Sequence, residues 1–518
     1  MLGFFLHQLT TGALAATVYV GMDESIQTAM NDASPGDTIV LAAGTYTEDL
    51  STEVAGTEDA PITVMSGDDG RATVTALGEV LQIDHPHWIF EDIVFDGQFG
   101  DSDTIDINDG ADHTQLSNVV VQRSSRDCID MGAPSHVRII DSEIHSCLWF
   151  DADEEEPRDA HGITGGAVQH LSIIDTAIHA VSGDAIQFDP GRSSPGWTGI
   201  VIQGCRLFAE PLTEDTNGFR TGQTPGDNAI DTKTNPEAER ATLVIEDTIV
   251  RGFSDGIGVS DQAALFIKEG VDATIRRTVI RESSIGFRIR GPTSARPEGA
   301  HVRIENTVLH DLDVGIQFED DVAELTVLHT TFGVNIATPL VELSSTATEP
   351  VIQNSLFTTP SLPSFAPESA GNRATTTDQF VNSDSRNHRL TSASVAIDAG
   401  IEIAEITTDF DELDRWIGMA PDAGAFEFGQ DVAVDTGGTD DTGFVDTAEP
   451  DTDTADPATT EPDAPIEPGE PGIGAAERVG EQGGCGCSAN PRLRNGLPWA
   501  FVTLLLGFRS RRGLYRTP

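Results

Sequence analysis

The chain has 518 residues, five of them cysteines, and a formal net charge of −55 at pH 7. This acidic excess argues against nucleic acid or an anionic membrane as a partner of the whole molecule, and five cysteines are too few for a disulfide scaffold. There are 51 glycines and only 6% aromatic side chains, a composition that favours short β-strands and turns over a helical core.

The N-terminal segment MLGFFLHQLTTGALA is short and apolar and ends in the small-x-small pattern Ala13-Leu14-Ala15. Residues 1–15 are therefore predicted to be a signal peptide. Because the segment lacks Lys and Arg, a buried first strand is the alternative. The nearby segment DESIQTAMNDASPGDTIVLAAGTYTE predicts an amphipathic helix followed by a strand, and such a helix would cap the open end of a solenoid.

From about residue 60 to about residue 360 the chain repeats two phrases. The first has two short apolar strands around a polar pair, as in ATLVIEDTIVRG and AHVRIENTVLHD, and the second is one short strand, as in DCIDMGA and NAIDTKT. The period is about 22 to 30 residues without an intervening helical pattern. We therefore predict an all-β, right-handed parallel β-helix whose coils stack about 4.8 Å apart.

Three cysteines, Cys128, Cys147 and Cys205, lie within these repeats. Cysteine often serves as a small buried apolar residue, and that is the interpretation favoured for all three. A disulfide bridge among them stays open as the alternative.

Two stretches carry a resemblance to a known family. SPGDTIVLAAGTYTEDL, followed by GTEDAPITVMSGDDGRATVTA, resembles the opening of the pectate-lyase-like β-helix superfamily, and within it the group of alginate lyases and chondroitinase B. RLTSASVAIDAG and APDAGAFEF resemble the closing segment of many exported β-helix proteins. The resemblance implies a β-helix over residues 16–370 and a closing segment over residues 371–428. This fold hosts lyases, hydrolases and binding proteins, so it implies no single activity.

The only two lysines of the chain, Lys233 and Lys268, both follow second-phrase strands. Strand alternation with the isoleucines facing the core turns these lysines outward, since a slip of one residue would bury the charges. The register then predicts two neighbouring outward columns: Asp189, Lys233, Lys268 and Arg290 in one, and Gln187, Asp231, Phe266 and Arg288 in the other. Stacked cations about 5 Å apart repel each other, so we expect an anion among them, either a carboxylated sugar or the chain's own Asp231.

Cleavage of a polyuronate by β-elimination needs a base and a cation that stabilises the enolate. The resemblance implies a lysine base and an arginine one coil later, which match Lys268 as base and Arg288 as acid or stabiliser, with Arg290 as an alternative by spacing. A lysine among cations is expected to have a depressed pKa, which suits a base. Lys233, Arg290, Asp231 and Phe266 would line the substrate groove.

The resemblance also implies calcium, held by acidic residues shortly before the lysine and by an asparagine on the preceding coil. Asp261 and Asn228 match two of these positions, with Asp231 as a substitute on the preceding coil. Ala263 stands where the family has a second acidic residue, and this departure puts the calcium site in doubt.

Two other functions remain open. DSDTIDIND, RDCIDMG and DAHGITGG are similar to motifs of polygalacturonase-type hydrolases, in which Asp106 and Asp130 would be acid and base with His161 nearby. A non-catalytic carbohydrate-binding or adhesive solenoid is the other alternative. Two insertions interrupt the repeats. Residues 149–162 are predicted to be a solvated loop, with a metal site or a groove wall as the alternatives, and residues 209–227 would shape access to the groove.

Residues 429–482 are rich in Asp, Thr, Pro and Glu and are predicted to be an extended, disordered stalk. Residues 483–518 hold Cys485 and Cys487, a short apolar run and an arginine cluster, an order that resembles the C-terminal sorting tags of myxobacterial surface proteins. The resemblance implies attachment to the cell envelope. The sequence thus predicts an exported, monomeric surface protein whose partner is an anionic polysaccharide.

Overall fold

The computed structural model describes residues 15–190, 195–254, 256–257, 259, 262–293, 296, 298–319, 322–343 and 349–429. The chain divides after Glu449 into two units, and every described residue lies in the first. Three predicted segments lie almost wholly outside the described residues. They are residues 1–14 of the signal peptide, residues 430–482 of the stalk, and the whole tag with Cys485 and Cys487. No described helix has the length and apolar character needed to cross a membrane.

The described chain is a parallel β-helix, as predicted, in which each coil contributes strands to three lengthwise sheets. Sheet 1 contains the first strand of each coil and has 13 parallel strands. They are Thr17–Val20, Thr38–Leu41, Ile62–Ser66, Trp88–Glu91, Gln115–Ser117, Arg138–Ile140, Ser172–Ile174, Ile200–Gln203, Ala241–Glu246, Val271–Arg276, His301–Glu305, Glu324–Leu328 and Val351–Gln353.

Sheet 2 follows sheet 1 within each coil, and sheet 3 follows sheet 2. Two long strands, Val279–Arg290 and Val308–Glu319, bend through the corner and belong to both. The other strands of sheet 2 are Gly44–Thr47, Ala72–Thr75, Ile93–Asp96, Val120–Ser124, Glu143–Cys147, Ala177–Val181, Arg206–Phe208, Ile249–Arg251, Thr331–Phe332, Leu356–Phe357 and Arg373–Ala374. The other strands of sheet 3 are Leu50–Ser51, Leu81–Ile83, Ile105–Ile107, Ile129–Met131, Ile163–Gly165, Ile186–Phe188, Ile230–Thr232, Ala263–Ile267 and Ile336–Glu342.

The core is a set of apolar columns that run along the axis. In sheet 3 the inward position passes from coil to coil through residues that are all buried, most of them isoleucine. They are Ile105, Ile129, Ile163, Ile186, Ile230, Leu265, Phe287 and Ile316. β-Branched side chains fit such stacks because they have few rotamers to lose on a pleated surface. This column fixes the lateral position of every outward side chain of sheet 3.

The corner between sheets 1 and 2 is made by the polar pair of the first phrase. The second member of the pair has a positive φ in coil after coil, for example 50° at Asn118, 52° at Asp247 and 46° at Asn306. Asn and Asp tolerate this left-handed conformation better than other non-glycine residues. The recurring Glu-Asp and Glu-Asn pairs of the sequence are therefore corner residues.

The predicted N-terminal helix is present as Ile26–Asn31, and it is one and a half turns long. Ser25 caps it by accepting a hydrogen bond from the N–H of Thr28, and Ile26 and Met30 are buried. The helix packs on Thr17–Val20 and Thr38–Leu41 of sheet 1 and on Leu50–Ser51 of sheet 3, so it covers apolar surface at the N-terminal end of the core.

Cys128 and Cys147 form a disulfide bond, whereas Cys205 is free and buried. The favoured interpretation of all three as unbridged residues is thus wrong for this pair and right for Cys205. Cys147 ends a strand of sheet 2 and Cys128 directly precedes a strand of sheet 3, so the bond ties two neighbouring coils at one corner.

The closing segment first adds Arg373–Ala374 to sheet 2 and then leaves the coils to run back along the side of the solenoid. After this strand it forms the hairpin of Phe380–Asn382 and Asn387–Leu390. Phe410 and Phe426 then pack on Val279 and Val308 of sheet 2, and the buried Arg415 donates to Asn306 Oδ1 at 2.6 Å. The remaining regular elements are the hairpin of Trp149–Asp151 and Glu156–Arg158 and two single 3-10 turns, Glu368–Ala370 and Thr377–Gln379.

Candidate functional site

The outer face of sheet 3 carries a single in-register column of polar and aromatic side chains. It reads Gln82, Asp106, Asp130, Thr164, Gln187, Asp231, Phe266, Arg288 and Gln317. This confirms the predicted register of Gln187, Asp231, Phe266 and Arg288. Parallel strands lie about 4.8 Å apart, so the column is a continuous strip on which acids lie at one end and cations at the other.

Lys268 is not surrounded by cations alone. Its Nζ lies 2.6 Å from Asp231 Oδ1 on the preceding coil. The two side chains are 13% and 7% exposed. Burial and the Asp184 carboxylate raise the pKa of Asp231, while Lys268 acts to lower it. Of the two anions expected beside the lysines, the structure therefore contains the chain's own carboxylate.

Lys233 also contacts carboxylate and amide oxygens rather than another cation. Its Nζ donates to Gln187 Oε1 at 3.0 Å and to Asp189 Oδ2 at 3.2 Å. Burial acts to lower the pKa of Lys233, but Asp189 and Asp231 outweigh it and the pKa is raised. A lysine among cations was expected to have a depressed pKa. This expectation is wrong for Lys233, because the charged neighbours that act on it most strongly are the carboxylates of Asp189 and Asp231.

Phe266 is the centre of the cation end. Its ring, on a residue only 7% exposed, has Lys268 Nζ at 4.4 Å, the Arg288 guanidinium carbon at 4.6 Å and that of Arg290 at 5.1 Å from its centroid. Cations are attracted to the face of an aromatic ring over such distances. The four residues Phe266, Lys268, Arg288 and Arg290, together with Lys233 and Asp231, are called the cation cluster below.

Each arginine of the cation cluster also has a carboxylate of its own. Arg288 Nε lies 3.1 Å from Glu319 Oε1, and Arg290 lies 3.8 Å from Glu269. Sequence reasoning missed both glutamates. Glu269 directly follows Lys268, and Glu319 is the residue paired with Arg290 in the next coil, so the strand register alone could have indicated them.

The acidic end of the column consists of Asp103, Asp106 and Asp130, called the acid cluster below. Their carboxylate oxygens lie within 4.8 Å of one another, and they are the one such group among the described residues. Burial, with the Asp127 carboxylate next, raises the pKa of Asp103 to about 6. Burial, with Asp103 and Glu79 next, raises the pKa of Asp106 to about 7. Close carboxylates that lack a cation hold protons near neutrality.

The acid cluster does not have the geometry of an inverting hydrolase. That mechanism separates its two carboxyl groups by about 6.5–9.5 Å to admit a water molecule, and the acid cluster is closer. His161, expected beside it, accepts the N–H of Asp184 at 2.8 Å through Nδ1, so this nitrogen is bound to backbone. The structure thus brings Asp106 and Asp130 together but gives His161 a structural contact.

A polar ladder that sequence reasoning missed lies just before the sheet 3 strands. The side chain of each member accepts a hydrogen bond from the backbone N–H of the next coil, at 2.7 to 3.0 Å. Its members are Asp103, Asp127, His161, Asp184 and Asn228. The recurring first letters of DTID, DCID, HGIT, DAIQ and NAID are the signal that could have revealed it. These residues satisfy buried backbone donors.

The ladder bears on the predicted calcium site. Asn228 Oδ1 accepts the N–H of Ala263 at 3.0 Å, and its Nδ2 donates to Asp184 at 2.9 Å. Asp231 is held by Lys268, and Asp261 lies outside the described residues. Asn228 and Asp231 therefore do not fit the calcium site that the family resemblance implies, since both side chains already have protein partners.

Both insertions fold at the corner between sheets 2 and 3. Phe150 of the hairpin and Phe219 of residues 209–227 meet edge to face at 5.4 Å. Asn217 reaches back to donate to Ser125 Oγ at 3.0 Å, and Arg126 stacks on Trp149 at 5.1 Å. The two insertions form one wall, named as such below, along the stretch of the column between Asp130 and Asp231.

Comparisons with known proteins return structures but no sequence relatives. No family model matches the chain and no curated protein matches it. Pectate lyase Pel9A is 15% identical, with 80% of this chain and 97% of that chain covered at a TM-score of 0.44. An alginate lyase from Paenibacillus sp. is 16% identical, with 64% of this chain and 99% of that chain covered at a TM-score of 0.39. The PL6 family alginate lyase AlyGC is 12% identical, with 70% of this chain and 53% of that chain covered at a TM-score of 0.46. Likenesses of this size concern the fold and not the activity.

Proposed function

We propose that this chain is an exported lyase that cleaves a uronate-containing polysaccharide by β-elimination on the outer face of sheet 3. One observation carries the proposal: Lys268, Arg288 and Arg290 lie on the Phe266 ring, with Lys268 Nζ 2.6 Å from the Asp231 carboxylate. A cationic site with a coupled amine and carboxylate has the groups that elimination next to a carboxylate requires.

The base must first lose its own proton. Lys268 is paired with Asp231, so the proton of the ammonium moves to the Asp231 carboxylate when substrate excludes water from the pair. The raised pKa of Asp231, caused first by burial and then by Asp184, favours this transfer. The result is a neutral amine beside a carboxylic acid, which is a base and an acid in adjacent positions.

The elimination then balances within these two groups. Lys268 Nζ takes the proton from the carbon next to the sugar carboxylate, and the resulting carbanion forms a double bond as the bond to the glycosidic oxygen breaks. Asp231 gives its proton to the leaving oxygen. Lys268 ends as an ammonium and Asp231 as a carboxylate, so the site returns to its starting state.

Arg288 serves as the stabiliser and not as the acid. A guanidinium keeps its proton in proteins, and its planar donor set matches a carboxylate. Arg288 and Arg290 lie on the Phe266 ring with carboxylates of the chain as partners. A substrate carboxylate replaces Glu319 or Glu269 as the partner, and the two guanidinium charges then stabilise the enolate.

Export is supported by the bond between Cys128 and Cys147, because disulfides persist mainly in oxidising compartments. Surface attachment through the C-terminal tag and a monomeric state belong to the same proposal. The attachment rests on the sequence of residues 429–518 and is testable by localisation of the tagged and truncated chains. The monomeric state is testable by analytical ultracentrifugation.

The decisive experiment compares wild type with Lys268→Arg on alginate, pectate and chondroitin sulfate. Arginine keeps the charge beside Asp231 but cannot release its proton, so formation of unsaturated product should fall by about 10²–10⁴-fold. Ultraviolet absorbance of the unsaturated uronate is the readout. Arg138→Ala removes an exposed cation from sheet 1 and is the control with unchanged turnover.

Two outcomes would replace this function. No product from any polymer by the folded wild type would favour a carbohydrate-binding or adhesive solenoid. New reducing ends without ultraviolet absorbance would indicate a hydrolase and return attention to the acid cluster.

A further inference from the structure

We infer that the groove for the anionic polymer is one-sided. A polyuronate extends from the cation cluster toward Gln317, and the acid cluster and the wall exclude it from the other side. The inference rests on the proposed function for its substrate class. It assigns to Asp106, Asp130 and the wall the role of limiting how many sugars bind, and hence of favouring cleavage near a chain end.

The floor of the groove is the column of sheet 3, and its charges are arranged asymmetrically. At the cation end the carboxylates of the column are paired, Asp231 with Lys268 and Glu319 with Arg288, although Asp184 and Asp227 add carboxylates beside Asp231. At the acid end Asp106 and Asp130 have no cation within 4.0 Å among the described residues, although Thr164 Oγ1 donates to Asp130 at 2.6 Å. A polymer with one carboxylate per sugar therefore meets opposite charges at one end and like charges at the other.

The wall adds negative charge along the middle of the same face. In its hairpin, Asp151, Glu154 and Glu156 all share the single cation Arg158. Asp153 and Glu155 are exposed as well. Because the Phe150–Phe219 contact joins the hairpin to residues 209–227, this charge stands on packed chain beside the column. Like charges that face each other across an interface lower the affinity for a mismatched partner.

About four coil steps, near 19 Å, separate Asp130 from the coil of Phe266. Thr164, Gln187 and Asp231 are the floor residues between them, and none of the three is a cation. A chain that ran past Asp231 toward Asp130 would leave Lys233 and then meet Arg126, which lies over the Trp149 ring and acts on Asp103. One cation faces the three carboxylates of the acid cluster there, so added length on that side brings little added affinity.

The test is a binding experiment that does not depend on turnover. Affinities of oligouronates of increasing, defined length are measured by calorimetry with a chelator present, using the full chain with Lys268→Arg so that nothing is cut. The same series is run on this chain with Asp106→Asn and Asp130→Asn added. The control adds Asp378→Asn and Asp384→Asn, which remove two exposed charges beyond the last solenoid strand.

Affinity is expected to stop rising at short length for the parent and for the control. With Asp106→Asn and Asp130→Asn it should keep rising, by on the order of tenfold for the longest oligomers. Affinity that rises with length in the parent, or the same plateau in all three chains, overturns the inference, and so does absence of binding. An increase in length dependence on adding calcium also overturns it, because the acid cluster would then hold the polymer through the metal. Turnover by the wild type decides the lyase proposal separately.

Discussion

Asp106 and Asp231 occupy the same position on the same sheet, yet they have opposite electrostatic surroundings. Both point outward from sheet 3 and both lie in the register that runs from Gln82 to Gln317. Asp231 holds Lys268 at 2.6 Å, whereas Asp106 faces the carboxylates of Asp103 and Glu79. The backbone makes these positions equivalent, so the difference comes from the neighbouring side chains, which are Asp103 of the same coil and Glu79 at Asp106 and Lys268 of the next coil at Asp231.

The comparison shows how a solenoid can change its chemistry along one face. Side chains of the same coil and of neighbouring coils influence the protonation of each outward carboxylate, because neighbouring strands are close enough for direct ion pairs. A carboxylate followed by a lysine stays paired, and a carboxylate followed by another carboxylate holds a proton to higher pH. The acid end and the cation end are therefore two outcomes of one repeated backbone geometry.

The largest effect is expected from removing the cation of the Asp231 pair. Lys268→Ala leaves a carboxylate that is only 7% exposed without its partner, and such uncompensated buried charge costs about 3–5 kcal/mol of unfolding free energy. Urea denaturation at neutral pH measures it. Adding Asp231→Ala to Lys268→Ala should recover much of the loss. If the double variant is as unstable as the single one, the pair acts through packing and the contrast with Asp106 is not electrostatic.

A smaller effect is expected at the acid end, where it depends on pH. The pKa of Asp106 is about 7 in the folded chain and near 3.8 otherwise, so folding favours its protonated form and stability falls as pH rises from about 4 to about 7. Asp106→Asn should thus stabilise the chain at pH 8 and change little at pH 4. A shift of this size amounts to about 4 kcal/mol, which solvent exposure reduces to about 1–2 kcal/mol.

Thermal unfolding of wild type and Asp106→Asn across this pH range tests the prediction. Asp378→Asn removes one exposed charge elsewhere and serves as the matched control. A stability difference that does not vary with pH would show that Asp106 is not protonated in the folded chain.

Strand alternation was sufficient to predict which side chains share the outer face of sheet 3. Ile230, Leu265 and Phe287 can only face the core, so Asp231, Phe266 and Arg288 had to lie in one column. Fold class follows from the same alternation repeated at a constant period. These predictions succeed because burial of a period-two pattern leaves one register.

What the sequence did not predict depends on side chains that reach between coils. Lysine and arginine have several rotatable bonds, so the alternation left Asp231 as one of two possible anions beside the lysines and did not indicate that Arg288 reaches Glu319. The disulfide was missed for a related reason, since Cys128 and Cys147 belong to different phrases of the repeat and meet only at a corner. Of the polar residues two positions before the sheet 3 isoleucines, His161 was considered as the neighbour of a catalytic pair and Asn228 as a calcium ligand, whereas their common use is the polar ladder.

The smallest predicted effect concerns Phe266, the residue that has no counterpart at the acid end. Phe266→Leu keeps an apolar side chain but removes the ring on which Lys268, Arg288 and Arg290 lie. Each cation–π contact contributes about 0.5–1 kcal/mol at a partly exposed site. A double-mutant cycle of Phe266→Leu and Arg290→Ala should therefore give a coupling energy of this size in urea denaturation. Coupling near zero would mean that the glutamates alone gather the cations, and that the cation end needs only the charge pairing that the acid end lacks.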